Sequence, residues 1–377
     1  MKVSVVLGMT FGDEGKGATT QWLCQQSLKY GRNPLVVRFN GGAQAAHTVC
    51  LNGKEHICST YGSGVLLGVP TFLSKDFFFD PLSAYQEHQT LKELNPTLMV
   101  HSNCRIVTPY DVLAGVNNAK VLHDGSCGKG IFQTFDRYNR QSFDNILLHF
   151  KQEDHLRMLL YQVRSYYQVE QDDQLEELFI RSMLDLPLTV TELPTEGHEE
   201  LIYEGAQGLL LDMDYGFFPN VTPSHTGLDN IPPDQLRGAN VYLVTRTYTT
   251  RHGNGFEPKH KLLWDLNGKL ETNVDNEFQG PFKVGMLELG LLHRAIDRHH
   301  LDVWQKKYDL KYHLMVTHGD LALKHGYFDY LFSDGLWGKV EINDLHDIKR
   351  VFIHEMNKTQ LRFQSIRVNS SVEGNFE

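Results

Sequence analysis

The chain opens on Val3-Ser4-Val5-Val6-Leu7, a short apolar run of the kind that forms a strand buried on both faces. It leads directly into Gly-Met-Thr-Phe-Gly-Asp-Glu-Gly-Lys-Gly at residues 8–17 and then into helical spacing of apolar residues over 19–30. Strand, glycine-rich loop, lysine and helix in that order are the parts of a phosphate-binding unit, which commits the chain to an α/β sheet. Yet Asp13 and Glu14 stand where phosphates should lie. In the usual loop, G-x-x-x-x-G-K-[ST], backbone N–H groups cradle the phosphates, the lysine neutralises them and the hydroxyl holds magnesium. Here Gly15-Lys16 is kept, but Thr10 occupies the first glycine position and Gly17 the hydroxyl position. The metal must be held otherwise, and Asp13 is the natural ligand, because magnesium favours hard oxygen donors and offsets the repulsion between a carboxylate and phosphates.

Further β-branched runs at 34–39, 201–203, 241–245 and 313–316 each end in a Gly-, Asn- or Thr-rich segment, while 152–185 and 287–302 show helical spacing. The expected fold is an open, mostly parallel central sheet flanked by helices, with residues 1–377 forming one elaborated α/β domain. The acidic stretch 169–177 reads as the exposed face of a helix and its flanking turn.

Composition excludes several classes. A net charge of −10 lacks the basic surface that sequence-independent nucleic-acid binding needs, and no apolar run approaches a membrane span. Five cysteines without a C-x-x-C pair, and an N-terminus that reads as a strand rather than an export signal, point to a cytoplasmic protein with reduced thiols. None of the 19 histidines falls in an H-E-x-x-H pattern.

A second segment, Val-Val-Arg-Phe-Asn-Gly-Gly-Ala-Gln-Ala-Ala-His-Thr at 36–48, lets Gly41-Gly42 turn tightly after a strand and places His47 and Thr48 beyond it. Together, G-D-E-G-K-G at 12–17 and G-G-x-x-x-x-H-T at 41–48 resemble the adenylosuccinate synthetase family. The resemblance continues in order through GSCGKGI at 125–131, EGAQGLLLDMDYGFFPNVTPS at 204–224, RTYTTRHGNG at 246–255, NEFQGPFKVGMLELG at 276–290 and THGD at 317–320.

The resemblance implies a C–N ligase that uses a nucleoside triphosphate and Mg2+ to activate the 6-oxo group of a purine monophosphate, which L-aspartate then displaces. It makes Asp13 the base that deprotonates purine N1 and a magnesium ligand, with the Ala46 carbonyl completing the metal shell. His47 corresponds to the residue that hydrogen-bonds the transferring phosphoryl group. The triphosphate would lie on Gly12, Glu14, Gly15, Lys16, Gly17 and Thr48, its base near Thr317, His318 and Asp320. The purine monophosphate would meet Gln44, Ser126, Cys127, Gln207 and Thr222. A homodimer is implied, with Arg140 or its neighbour Arg137 reaching into the partner's site.

Four departures from the common family pattern bear on substrate. Gln44 replaces an asparagine and Ala46 a glycine; Gln21 replaces an aspartate; and the aspartate loop lacks its T-T-G-R element, leaving Gln279, Gly280 and Lys283, with Lys283 as the cation for a carboxylate. The T-K-x-D element that reads guanine in GTP is Thr317-His318-Gly319-Asp320, which makes ATP or dATP credible as donor beside GTP. The shortening resembles the archaeal and viral branches, and the viral branch includes enzymes that act on dGMP to give the precursor of 2-aminoadenine nucleotides. The expected substrate is therefore dGMP, in a bacteriophage setting and its host's cytoplasm, with IMP and GTP as the alternative. A non-catalytic nucleotide switch is the remaining alternative, and it would need no purine-monophosphate pocket.

Overall fold

A computed structural model describes residues 1–116, 128–140, 146–262 and 280–369. Along the chain the strands are β1 (Lys2–Gly8), β2 (Pro34–Arg38), β3 (His47–Leu51), β4 (Lys54–Cys58), β5 (Thr71–Leu73), β6 (Phe78–Phe79), β7 (Leu98–Val100), β8 (Arg105–Ile106) and β9 (Leu188–Val190). They continue as β10 (Glu200–Gly208), β11 (Asn240–Arg246), β12 (Tyr248–His252), β13 (Phe282–Glu288), β14 (Lys311–Thr317), β15 (Tyr327–Leu331), β16 (Trp337–Glu341) and β17 (Phe363–Val368). Nine of them form one sheet in the order β17-β14-β11-β1-β10-β2-β5-β7-β9, every neighbouring pair parallel.

β1 reads as a continuous apolar run because both its faces are covered. Val5 and Leu7 enter the largest core cluster, while Val6 packs with Leu23 and Cys24 of the helix α1 (Lys16–Lys29). The order of the sheet separates β1 from β2 by inserting β10 between them. Loops leaving the carboxyl ends of β1, β2, β10, β11 and β14 therefore crowd one edge, where open α/β sheets place their ligands.

The five expected strands are all present. Sequence patterning missed β5, β7, β9 and β17, of which the first three have three residues each, too few to display a period. The segment 152–185 is two helices, Glu153–Tyr167 and Asp173–Asp185. Gln168 takes a left-handed conformation at φ 54°, and the Asp172 side chain accepts from the N–H groups of Gln174 and Leu175 to start the second helix. The segment 287–302 likewise divides. Leu287 and Glu288 finish β13, the helix Leu289–Arg298 follows, and His300 at φ 49° separates it from the helix Leu301–Tyr308.

A smaller sheet, β12-β13-β15-β16, continues directly from the end of β11 and brings β12 over the β1 loop. The hairpin β3–β4 packs on the other side, its turn made by Asn52 and Gly53 with positive φ. A second core lies beneath the helices Pro81–Leu91, Glu153–Tyr167 and Asp173–Asp185, with Leu156, Leu160, Val163 and Phe179 fully enclosed.

The two arginines of the helix Ile131–Arg140 have different fates. Arg137 is fully buried, donates to both carboxylate oxygens of Asp111 at 2.8 and 2.9 Å, and reaches the Ile106 carbonyl at 2.9 Å. Arg140 is 69% exposed and paired only locally, with Asp136 at 2.7 Å. Arg137→Ala leaves Asp111 buried without its counter-charge and should lower stability by about 3–5 kcal/mol, read as a shift in urea midpoint, while Arg140→Ala should leave that midpoint unchanged.

Candidate active site

Lys16 opens α1, and no side chain caps the helix start. Its first N–H groups therefore face the loop, as an anion site requires. Gly12 (φ 95°), Asp13 (φ 56°) and Gly15 (φ 92°) give the loop its tight reversal. Close approach explains the missing hydroxyl: a Cβ on Gly17 would lie 2.8 Å from the His47 Cβ and 3.2 Å from the Ser63 Oγ. The space a P-loop serine or threonine would fill is occupied by the hairpin that delivers His47.

Glu14 turns away from the phosphate side. Its Oε1 accepts from the Thr10 N–H and from the Thr10 hydroxyl, the latter at 2.7 Å, and its Oε2 lies 4.0 Å from Lys16 Nζ. The carboxylate sits where a side chain on residue 8 would be, since a Cβ on Gly8 would come within 1.9 Å of it. Burial pushes the Glu14 carboxyl up to about 7, against the opposing pull of Lys16 and the Thr10 hydrogen bonds. The loop is also tied to β14: the Thr317 hydroxyl donates to the Glu14 carbonyl at 2.8 Å.

His47 donates from Nδ1 to Glu204 Oε1 at 2.6 Å. Glu204 is fully buried on β10, and its Oε2 accepts from the Ser63 N–H at 2.9 Å while the Ser63 hydroxyl donates to Oε1. Burial pushes Glu204 up, but hydrogen bonds from His47 and Ser63, with the nearby Arg38 charge, more than offset it and keep it ionised. Burial pushes the His47 imidazole down more than Glu204 raises it. The pair is a neutral imidazole oriented by a carboxylate, its second nitrogen left for another partner.

Asp13 faces His252 of β12, with Nε2 at 3.2 Å from Oδ2. Burial raises the Asp13 carboxyl, but the His252 hydrogen bond and the charges of Arg246 and Lys16 outweigh it and hold Asp13 below the usual carboxylate range. Arg246, buried at the end of β11, donates to the Tyr248 hydroxyl at 2.8 Å. Lys16 is 2% exposed, and burial pushes its amine down against the pull of Glu14, Asp13 and Glu204.

Gln44 and Gln207 each carry a buried side-chain oxygen with no hydrogen-bond partner among the described residues, and Gln207 holds a left-handed backbone at φ 58°. Such strain and an unpaired amide mark a group waiting for a ligand. Asn40 joins their loops, accepting from the Ala206 N–H at 2.7 Å and donating to the His225 carbonyl at 3.0 Å. The Asp13 carboxylate, held ionised, offers magnesium a hard oxygen, and Ala46 beyond β2 is exposed.

Thr48 lies in β3 beside His47. Thr222 is buried behind the end of β10, its N–H donating to the Leu211 carbonyl at 2.8 Å. His318 is held neutral by burial and by Arg246; its ring meets Tyr248 edge-on at 5.4 Å, and Nδ1 lies 2.9 Å from the Thr317 hydroxyl. Burial raises the carboxyl of Asp320, the second residue of the next helix. Ser126, Cys127 and Gln279 lie outside the described residues. Gly280 has a φ of 87°, suiting a turn into β13. Lys283, on β13, forms an ion pair with the exposed carboxylate of Glu257.

Sequence reading missed Glu204, Ser63, Arg38, Arg246 and His252. The available signal was charge within an otherwise buried strand: Arg38 and Arg246 end theirs and Glu204 lies in the middle of β10.

The match to a family model for adenylosuccinate synthetase covers residues 5–303. Among curated proteins, the chain is 29% identical to the adenylosuccinate synthetase of Thermoplasma acidophilum over 326 residues, 78% of this chain and 72% of that one. It is 32% identical to that of Psychrobacter arcticus over 330 residues, 78% of this chain and 73% of that one. Among solved structures, the fully ligated adenylosuccinate synthetase of Plasmodium falciparum superposes with a TM-score of 0.72 at 18% identity, covering 99% of this chain and 98% of that one. The cyanophage S-2L succinoaminodeoxyadenylate synthetase bound to dGMP and dATP superposes with a TM-score of 0.62 at 15% identity, covering 99% and 93%.

Two outcomes test this geometry. Glu204→Gln keeps the shape but removes the charge that orients His47, and should lower kcat roughly 100-fold in a succinylation assay with little change in KM. Because the folded state raises the Glu14 pKa, wild-type stability relative to Glu14→Gln should fall as pH rises from about 4.5 to about 7 and level off above, measured by urea denaturation across pH.

Proposed function

Because this chain belongs to the adenylosuccinate synthetase family of C–N ligases, we propose that it condenses L-aspartate with the 6-oxo position of dGMP, using ATP or dATP, to give 2-amino-2′-deoxy-N6-succinyladenylate. The observation that carries the reading is the convergence of Asp13, Lys16 and the His47–Glu204 pair at one sheet edge, beside the unpartnered oxygens of Gln44 and Gln207.

Asp13, ionised and aimed by His252, takes the proton from purine N1, and the electron pair released makes O6 nucleophilic. An ionised carboxylate accepts from N1–H and from the 2-amino group of guanine at once, so Asp13 is compatible with either purine. O6 attacks the γ-phosphorus as the diphosphate leaves. Incoming phosphoryl charge favours a proton on the free nitrogen of His47, which then donates to the transferring group while Glu204 balances the imidazolium. Lys16 and the first N–H groups of α1 hold the other phosphate oxygens. Asp13 and the Ala46 carbonyl would hold magnesium, which would supply neutralisation of the phosphate charge. The aspartate amine then attacks C6, and inorganic phosphate departs with O6.

The donor is read by Thr317, His318 and Asp320. A neutral imidazole in the position of a lysine stem removes a cation from the base site and favours an adenine donor over guanine. The aspartate carboxylates fall to the short loop containing Gln279 and Gly280 and to Lys283, which an incoming carboxylate would draw from the exposed Glu257. Residues 1–377 act as one unit, and Arg140, exposed and paired only with its helix neighbour Asp136, reaches a second subunit of a homodimer where the buried Arg137 does not.

The dGMP reading is supported by the altered 42–48 and 317–320 segments and by likeness to the cyanophage enzyme. The second reading, IMP with GTP, is favoured by the names of the curated relatives and by retention of Asp13. The test crosses IMP, GMP and dGMP with GTP, ATP and dATP in the presence of Mg2+ and aspartate, identifying the succinylated product by mass. Succinylation of dGMP with ATP or dATP is expected; product from IMP with GTP alone would replace this reading with the second. Asp13→Asn should abolish turnover while retaining nucleotide binding.

A further inference from the structure

A separate cluster of metal-ligating side chains lies behind His47 and has no part in the chemistry above. His56 and Cys58, two residues apart on β4, project from one face of the hairpin, and the helix Pro81–Leu91 sets Glu87 against them. His56 Nε2 lies 3.2 Å from Glu87 Oε1. One ligand atom from each of His56, Cys58 and Glu87 lies within 4.8 Å of the other two, the only such His, Cys, Asp or Glu group among the described residues.

We propose that His56, Cys58 and Glu87 bind a thiophilic divalent cation of the Zn2+ class, distinct from the magnesium of the ligase reaction.

The donor set is nitrogen, sulfur and oxygen, which selects zinc-like ions over magnesium. Metal bonds of about 2.0–2.3 Å in a tetrahedron put ligand atoms roughly 3.3–3.7 Å apart, so the His56–Glu87 edge is already near that length. The two oxygens of Glu87 divide their work. Oε2 accepts from the Ser59 N–H at 3.1 Å, the Ser59 hydroxyl at 2.7 Å and the Thr60 N–H at 2.6 Å, which fixes the carboxylate's orientation and leaves Oε1 toward His56. Outer hydrogen bonds of this kind orient metal ligands.

Binding is a proton-for-metal exchange without redox change: the Cys58 S–H bond breaks, its proton goes to solvent, and sulfur bonds to the cation. Because the thiolate is the ligand, binding releases that proton. The site also touches the catalytic machinery. Cys58 pairs across the hairpin with His47, and the turn that Glu87 holds leads to Ser63, which donates to Glu204.

The inference does not depend on the substrate assignment, and its test needs no substrate. The full-length chain, stripped with chelator and returned to excess Mg2+, is titrated with Co2+ and followed by absorption. Expected is a thiolate-to-cobalt charge-transfer band that saturates at about one equivalent per chain, bleaches on adding Zn2+, persists in Cys104→Ser and disappears in Cys58→Ser. His56→Ala, on a strand less enclosed than Cys58, should weaken Co2+ binding at least about tenfold and serves alone if Cys58→Ser does not fold. Absence of the band in the wild type, or undiminished binding in either variant of the site, overturns the proposal.

Discussion

Two opposite charges buried side by side on neighbouring strands hold the functional edge together. Arg38 ends β2, Glu204 lies on β10, and the two are paired in register with neither exposed. Both reach the same two loops. Arg38 donates to the Tyr61 carbonyl at 3.2 Å and the Ala45 carbonyl at 3.1 Å, while Glu204 accepts from Ser63 and His47. A buried pair of this kind adds little to stability compared with an apolar pair, but either member left alone is costly. Its effect is positional: the loop after β2 and the turn before β5 are drawn to the same point above β10.

The phosphate loop is shaped by what surrounds it as much as by its own glycines. Gly17 admits His47, Gly8 admits the Glu14 carboxylate, and Gly15 approaches Thr317 so closely that a Cβ would lie 2.6 Å from its methyl group. Removing the P-loop hydroxyl is therefore the steric condition for bringing a histidine to the phosphoryl site. Glu14, which looked like a charge of the wrong sign in a phosphate loop, is a bracket that folds back onto Thr10 and leaves the loop's N–H groups facing outward.

Much of the fold was legible before any coordinates. The five longest-patterned strands were found because strands covered on both faces need uninterrupted apolar residues. Three-residue strands carry no such signal, and β5, β7 and β9 exist only because a neighbour is already in place. The single helical readings over 152–185 and 287–302 failed at Gln168 and His300, whose left-handed backbones interrupt a spacing that continues on both sides. Asp13, Lys16 and His47 could be named from their motifs, whereas the partners that Glu204 and His252 supply to them became visible only in the fold.

By itself the sequence determined the order of strand, loop and helix, the presence of a carboxylate and a lysine in one phosphate loop, and the family that combination belongs to. Those are local properties, set by side-chain periodicity and by which residues tolerate a tight turn. Tertiary structure alone decided that Arg137 is committed to Asp111 while Arg140 is exposed, that Glu204 orients His47, and that His252 faces Asp13. The last two depend on strand order: β10 inserted between β1 and β2, and β12 carried back over the β1 loop, join residues up to 239 positions apart, and no local pattern encodes such a meeting.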